Sequence, residues 1–257
     1  MYIDKVNCAR QMKNFCSGEP FNHSVIDNFF DIETARKLEE EIPKYDLTDW
    51  HVYNNAIENK KTSNNWNLFP SLTYRVFNYL CSSEFINYIG DLIGAELYPD
   101  LGLHGGGWHI HSNGGNLNPH LDYSIHPKLK LQRKLNLIVY LSEGMTEGMG
   151  GAFGMWSDNN NEPADLIKTV SPLFNRAVIF DTTQNSWHGM VSPVSCPSDI
   201  YRQSIAVYYL CDVSGDAKSH QRALFSPRAE QKGNEKVEEL IRNRNDLRAS
   251  TSVYRDE

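Results

Sequence analysis

The chain has 257 residues, of which 40% are hydrophobic and 22% charged, with a net charge of −7. That is globular composition with enough apolar material for a sizeable core. The acidic balance excludes a non-specific nucleic-acid binder, which needs a cationic surface to neutralise phosphates.

Residues 1–20 are polar, punctuated by Gly18 and Pro20. They read as an irregular lead-in without the charged-then-apolar pattern of a signal peptide. Residues 24–30 read as a short strand or turn entering a helix. Asp31 is the expected N-cap of that helix, which runs through Ile42 and stops before Pro43. Residues 45–70 are rich in Asn, Lys and Thr, with Trp50, Tyr53, Trp66 and Phe69 interspersed. They read as a long loop of the kind that serves as a lid or binding element. Two helices follow at roughly 71–81 and 83–94, where Leu72, Val76 and Leu80, then Phe85, Tyr88, Ile89 and Leu92 recur at helical spacing.

After Pro99 the texture changes. Short alternating or apolar runs at 107–111, 135–141, 152–156, 177–180, 187–191 and 204–211 are broken by Gly, Asn, Asp and Pro. Strands at that spacing predict an antiparallel barrel or jelly roll. Residues 227–248 return to a mixed-charge helical pattern, expected to pack on the barrel's outside. The expected organisation is one domain over 1–257: helical and loop support about 24–98, a β core about 100–212 and a helical tail about 221–250.

Cys8, Cys16, Cys81, Cys196 and Cys211 are scattered and form no CxxC pair. Neither a disulfide framework nor a thiolate zinc site is suggested, and a reducing cytoplasm is the simplest setting. No apolar run approaches the roughly 18 residues of a membrane span, so no membrane role is expected.

The chemistry centres on Asn118-Pro119-His120-Leu121-Asp122. His120 and Asp122 are one residue apart, so on an extended strand both side chains share a face. Alone, the pair is equally a barrel histidine hydrogen-bonded to a carboxylate. His188, 66 residues after Asp122, offers a third ligand. Two histidines and one carboxylate make the facial triad of non-haem Fe(II) oxygenases, which leaves coordination positions open. A structural zinc site would close all four of its positions.

Arg202 opens an apolar strand 14 residues after His188. A guanidinium turned into a barrel is costly unless it meets an anion, and it matches a carboxylate through two parallel hydrogen bonds. Ser204, two residues on, shares its face. The pattern predicts a small carboxylate ligand held between Arg202 and the metal. His109 and His111 form a second HxH pair, which invites a cupin reading. A cupin would want a glutamate shortly afterwards, and the chain reads Ser112-Asn113-Gly114-Gly115-Asn116. His111 is therefore placed beside the site mouth rather than on the metal.

The ordered set of His120-x-Asp122, residues 133–141, Gly150-Gly151-Ala152-Phe153, residues 175–180, His188 and Arg202-x-Ser204 resembles the iron(II)- and 2-oxoglutarate-dependent oxygenases, most closely their prolyl-4-hydroxylase-like branch. The likeness spans roughly 100–212. It implies a mainly β fold with flanking α-helices: a double-stranded β-helix, jelly-roll or cupin-like, with N-terminal helices and a C-terminal helix. It also implies Fe(II), 2-oxoglutarate and O2, with ascorbate as a candidate reductant, and decarboxylation of 2-oxoglutarate to succinate and CO2. By position His120, Asp122 and His188 are the expected metal ligands and catalytic centre. Arg202, Tyr140 and Ser204 are expected at the cosubstrate, and Asn136, Trp66 and His111 on the substrate side.

Departures bear on the substrate. Collagen-type prolyl hydroxylases hold the cosubstrate with a lysine where this chain offers Arg202, and the interval from His188 to Arg202 is long. The nucleic-acid demethylase branch carries a second arginine where this chain has Tyr208. Halogenating relatives lack the carboxylate that Asp122 supplies. The expectation is a hydroxylase of a small molecule or biosynthetic intermediate. The alternatives are a peptidyl-prolyl hydroxylase and, from another class, a catalytically silent barrel that binds a ligand.

Overall fold

A computed structural model describes residues 2–47, 49–215, 217 and 222–246. In chain order its elements are α1 (Lys5–Met12), β1 (His23–Ile26), α2 (Ile32–Glu41), β2 (His51–Asn54), β3 (Glu58–Ser63), α3 (Ser71–Leu80), α4 (Ser83–Ile93) and β4 (Tyr98–Pro99). Then come β5 (Gly107–His111), β6 (Asn116–Leu117), β7 (His120–Leu121), β8 (Gln132–Tyr140), β9 (Phe153–Asn159), β10 (Glu162–Val170) and β11 (Ala177–Asp181). The chain continues with β12 (His188–Met190), β13 (Arg202–Cys211), β14 (Leu224–Phe225) and α5 (Glu235–Asn245).

The strands form two sheets. The larger runs β1-β11-β8-β13-β5-β3-β2, with β4 on β13 and β6 on β3; the smaller runs β10-β9-β12-β7-β14. Among the described residues every strand pairing within them is antiparallel. Two curled antiparallel sheets with helices on the outside make the expected double-stranded β-helix.

Alternation along the strands sorts residues between two faces of the larger sheet. Trp108 and Ile110, Leu135, Leu137 and Val139, Ala177 and Ile179, and Ile205, Val207 and Tyr209 point outward into one apolar cluster. Leu72, Val76, Phe77 and Leu80 of α3 and Phe85, Ile86 and Ile89 of α4 complete that cluster. The helices form where their caps place them. Asp31 accepts from the Thr34 amide, Ser82 from Phe85, and Glu41 from Leu72 and Thr73. Gly94 ends α4 in a left-handed conformation, at φ 70°, which suits a residue without Cβ. The inner face carries Tyr140, Val178 and Phe180, which meet Phe153, Met155 and Val170 of the smaller sheet. Beyond that plug the space between the sheets opens into the site.

Two expectations are corrected. The lead-in holds α1, capped by Asp4 through the amides of Val6 and Asn7 and anchored by buried Cys8 and Met12. Residues 45–70 are not one long loop: they supply β2 and β3, which extend the larger sheet past β5. The expected C-terminal helix is present as α5. The ends of the expected tail, residue 221 and residues 247–250, lie outside the described residues.

Candidate active site

His120 on β7 and His188 on β12 are direct partners across the smaller sheet. Asp122 follows β7 immediately. Its carboxylate oxygens lie 3.8 Å from His120 Nε2 and 3.7 Å from His188 Nε2. One donor atom from each of the three falls within 4.8 Å of the others. Both imidazoles are oriented from behind. His120 Nδ1 lies 2.9 Å from the Asn118 carbonyl, and His188 Nδ1 lies 2.8 Å from that of Ser186. A carbonyl can only accept, so each Nδ1 carries the proton and each Nε2 keeps its lone pair toward Asp122. Burial lowers both rings, His120 to about 3, which keeps them neutral and able to ligate. Phe225 stacks on His120 at 5.2 Å, and Phe153 on His188 at 5.5 Å.

Burial by itself would raise the Asp122 carboxyl. Arg133, His188 and His120 outweigh it and hold the group down at about 2. Arg133 Nη1 stands 3.4 Å from the carboxylate. Asn136 donates to Asp122 at 3.3 Å and the Tyr208 hydroxyl at 3.4 Å. The Arg133 guanidinium is clamped between Tyr123 and Tyr208, 3.5 and 3.2 Å from their ring centres, and donates to the His104 carbonyl.

A cavity of about 300 Å³ opens from the triad along the inner face of the larger sheet. Arg202, Ser204, Asn136 and His111 line it. Arg202 is buried, and its Nε donates to the Gly151 carbonyl at 2.7 Å. Among the described residues no carboxylate pairs with it. Burial pushes the guanidinium down, so an incoming anion would relieve an uncompensated charge. Tyr140 is wholly buried, its ring 4.8 Å from that guanidinium and its hydroxyl without a hydrogen-bond partner. It backs Arg202 rather than forming cavity wall. Trp66 lies elsewhere. Its indole donates to the Leu101 carbonyl and packs on Phe69, Tyr74 and Phe77 in the helical layer, which removes the reason for placing it beside substrate.

Residues 106–210 match the model of the 2OG-Fe(II) oxygenase superfamily. That stretch is similar to a 2OG-Fe(II) oxygenase domain. The chain's fold is similar to a prolyl-4-hydroxylase from Pseudomonas putida at TM-score 0.57 and 15% identity, over 80% of this chain and 99% of that one. A Trichoplax adhaerens prolyl hydroxylase, solved with a peptide of the hypoxia inducible factor oxygen degradation domain, matches at 0.52 and 14%, over 80% and 90%. HygX from Streptomyces hygroscopicus, solved with nickel, 2-oxoglutarate and hygromycin B, matches at 0.51 and 11%, over 82% and 94%. No curated protein matches the chain.

The cofactors that likeness implies, Fe(II), 2-oxoglutarate and O2, suit these donors. Two neutral imidazoles and an ionised carboxylate present three atoms to one point, and buried Arg202 has no carboxylate partner among the described residues. Sequence reasoning passed over Arg133 and Tyr208. Strict alternation would put Arg133 on the outer face, away from Asn136. A bulge in β8, where Tyr209 faces Leu135 but Leu210 faces Arg133, turns it inward. Tyr208 was noted only as a place where an arginine is missing, although its parity with Arg202 and Ser204 already directed it into the cavity.

Proposed function

We propose that the chain is a hydroxylase that oxidises an unactivated C–H bond of a small molecule, with His120, Asp122 and His188 holding iron and Arg202 holding 2-oxoglutarate. When bound, these supply the oxidising power: 2-oxoglutarate is decarboxylated to succinate and CO2 as one oxygen atom of O2 enters succinate and the other the substrate. The chain's own residues fix the geometry. The Asn118 and Ser186 carbonyls set both imidazole tautomers. Arg133, Asn136 and Tyr208 hold Asp122 ionised and in place. Ser204 flanks the Arg202 end of the cavity, and the Tyr140 ring stands behind the guanidinium at 4.8 Å.

The observation that carries the reading is the alignment of a buried, uncompensated Arg202 with three convergent donors in one cavity. A small substrate is favoured because Ala223 and Phe225, together with Arg244 of α5, wall the mouth and confine the space. The prolyl hydroxylase neighbours keep a peptidyl-prolyl substrate as the second reading. Five free cysteines agree with a reducing, cytoplasmic setting, and none of the described helices is long and apolar enough to cross a membrane.

Purified protein given Fe(II), ascorbate and labelled 2-oxoglutarate should release labelled succinate or CO2, uncoupled or stimulated by substrate. His120→Ala should abolish release. A silent wild type with no iron-dependent thermal shift would leave the ligand-binding barrel instead. Full activity in His120→Ala would overturn the ligand assignment.

A further inference from the structure

The cavity's charge does not match its chain. Among the described residues, and leaving aside Arg222, which has a partner of its own, Lys60, Arg133, Arg202 and Arg244 line it against Glu58 and Asp122, an excess of two positive charges. The chain as a whole is at −7. A ferrous ion and 2-oxoglutarate, with equal and opposite charges, would leave that excess standing.

The excess has a location. Arg202 faces His111 across β13 and β5. Lys61 faces Ile110 across β3 and β5, which puts Lys60 beside His111 along the inner face. Lys60 faces Tyr53 in turn, its ammonium 5.1 Å from the ring centre. Arg202 and Lys60 therefore leave the sheet two strand spacings apart, about 10 Å, and their heads are held by different partners, Arg202 Nε by the Gly151 carbonyl and Lys60 Nζ by Glu58. Glu58, 3% exposed, is shared between Lys60 at 3.0 Å and Arg244 at 2.6 Å, one carboxylate for two cations. Between the two cationic positions His111 is 2% exposed with neither ring nitrogen hydrogen-bonded. A buried imidazole left with an unused donor and acceptor in a cavity wall points to a ligand that satisfies it.

We propose that the molecule oxidised here is an anion, whose carboxylate or phosphate group docks at Lys60 and His111. This rests on the hydroxylase reading and specifies its substrate class. Clustered cations in a low-dielectric cleft focus the field and concentrate an acidic substrate despite the chain's overall negative charge. Arg202 takes the cosubstrate and Lys60 the substrate, so the two acids occupy opposite ends of one cavity.

The test is calorimetric. Protein loaded with Mn(II) and saturating 2-oxoglutarate is titrated with glutarate, with inorganic phosphate and with neutral glutaramide. One of the two anions should bind at a ratio of one to one, identifying carboxylate or phosphate as the preferred group, while glutaramide should not. Lys60→Gln should weaken that binding by about tenfold or more, equivalent to roughly 1.4 kcal/mol, and His111→Phe provides a second variant if the first unfolds. Absence of binding by either anion, equal binding of glutaramide, or unchanged affinity in both variants would overturn the proposal. Failure of the hydroxylase reading is separate: it appears as loss of metal-dependent 2-oxoglutarate binding, whereas failure of this proposal leaves that binding intact and abolishes only the anion titration.

Discussion

The two flanks of the barrel are held by different forces. On the outer face of the larger sheet, α3 and α4 bury a continuous apolar surface against β5, β8, β11 and β13. At the site mouth, β14 and α5 contribute a small cluster of Ile57, Phe225, Val237 and Ile241. Apart from the short pairing of β14 with β7, this region is tied by a few polar contacts. Arg244 pairs with Glu58, Arg228 donates to the Met190 carbonyl, and Asn118 donates to Gln231. Dispersed apolar contacts resist any one loss, and they hold the scaffold. Directional contacts few in number can be released locally without unfolding the barrel, and they surround the cavity.

The largest expected effect breaks the first flank. Phe77 is fully buried, stacked 4.9 Å from Phe69 and edge-on to Trp108 at 6.4 Å. Phe77→Ala should cost about 3–5 kcal/mol of global stability, read by denaturant unfolding. A loss below about 1 kcal/mol would mean that the helical layer is not what stabilises the sheet.

A smaller effect is expected on the second flank. Arg244→Met removes one of Glu58's two partners while Lys60 stays 3.0 Å away. The cost should be about 1–2 kcal/mol, below the 3–5 typical of an abandoned buried charge. Hydrogen exchange should show it as faster exchange in α5 and β14 with little change in β8 and β13. Uniform acceleration across the barrel would dissolve the contrast between the flanks.

This contrast also decides what could be read from the sequence. Strands buried on both faces announced themselves: β8, β11 and β13 are apolar outside and carry Asn136, Tyr140, Arg202 and Ser204 inside at a strict two-residue period. The triad was legible for the same reason, since ligands need fixed spacing on paired strands. β3 was not. Its inner face, Glu58, Lys60 and Thr62, points into a polar cavity, and its outer face carries Asn59, Lys61 and Ser63, so no hydrophobic alternation exists to find. The sequence of α1 has too few apolar residues for a helical period, and the Arg133 orientation depends on a bulge that alternation cannot anticipate. Two of these three, β3 and Arg133, face the ligand cavity, where no apolar alternation marks the strand.

Cysteine labelling gives the finest test of that division. Burial pushes the Cys8 thiol up to about 11 and the Cys81 thiol to about 12, whereas Cys16 is exposed. A thiol raised by two to three units from its usual value near 9 loses about a hundred- to thousandfold of its reactive thiolate at pH 8. Iodoacetamide should therefore modify Cys16 first and reach Cys8 and Cys81 only through opening of the helical layer. Phe77→Ala should speed modification of Cys81, whose amide bonds the Phe77 carbonyl at the end of α3. Arg244→Met should leave the Cys8 and Cys81 rates unchanged, because α5 loosens without opening the opposite flank. Peptide mass spectrometry reads each site separately. Faster Cys81 labelling in Arg244→Met would show that the polar mouth and the apolar scaffold open as one cooperative unit.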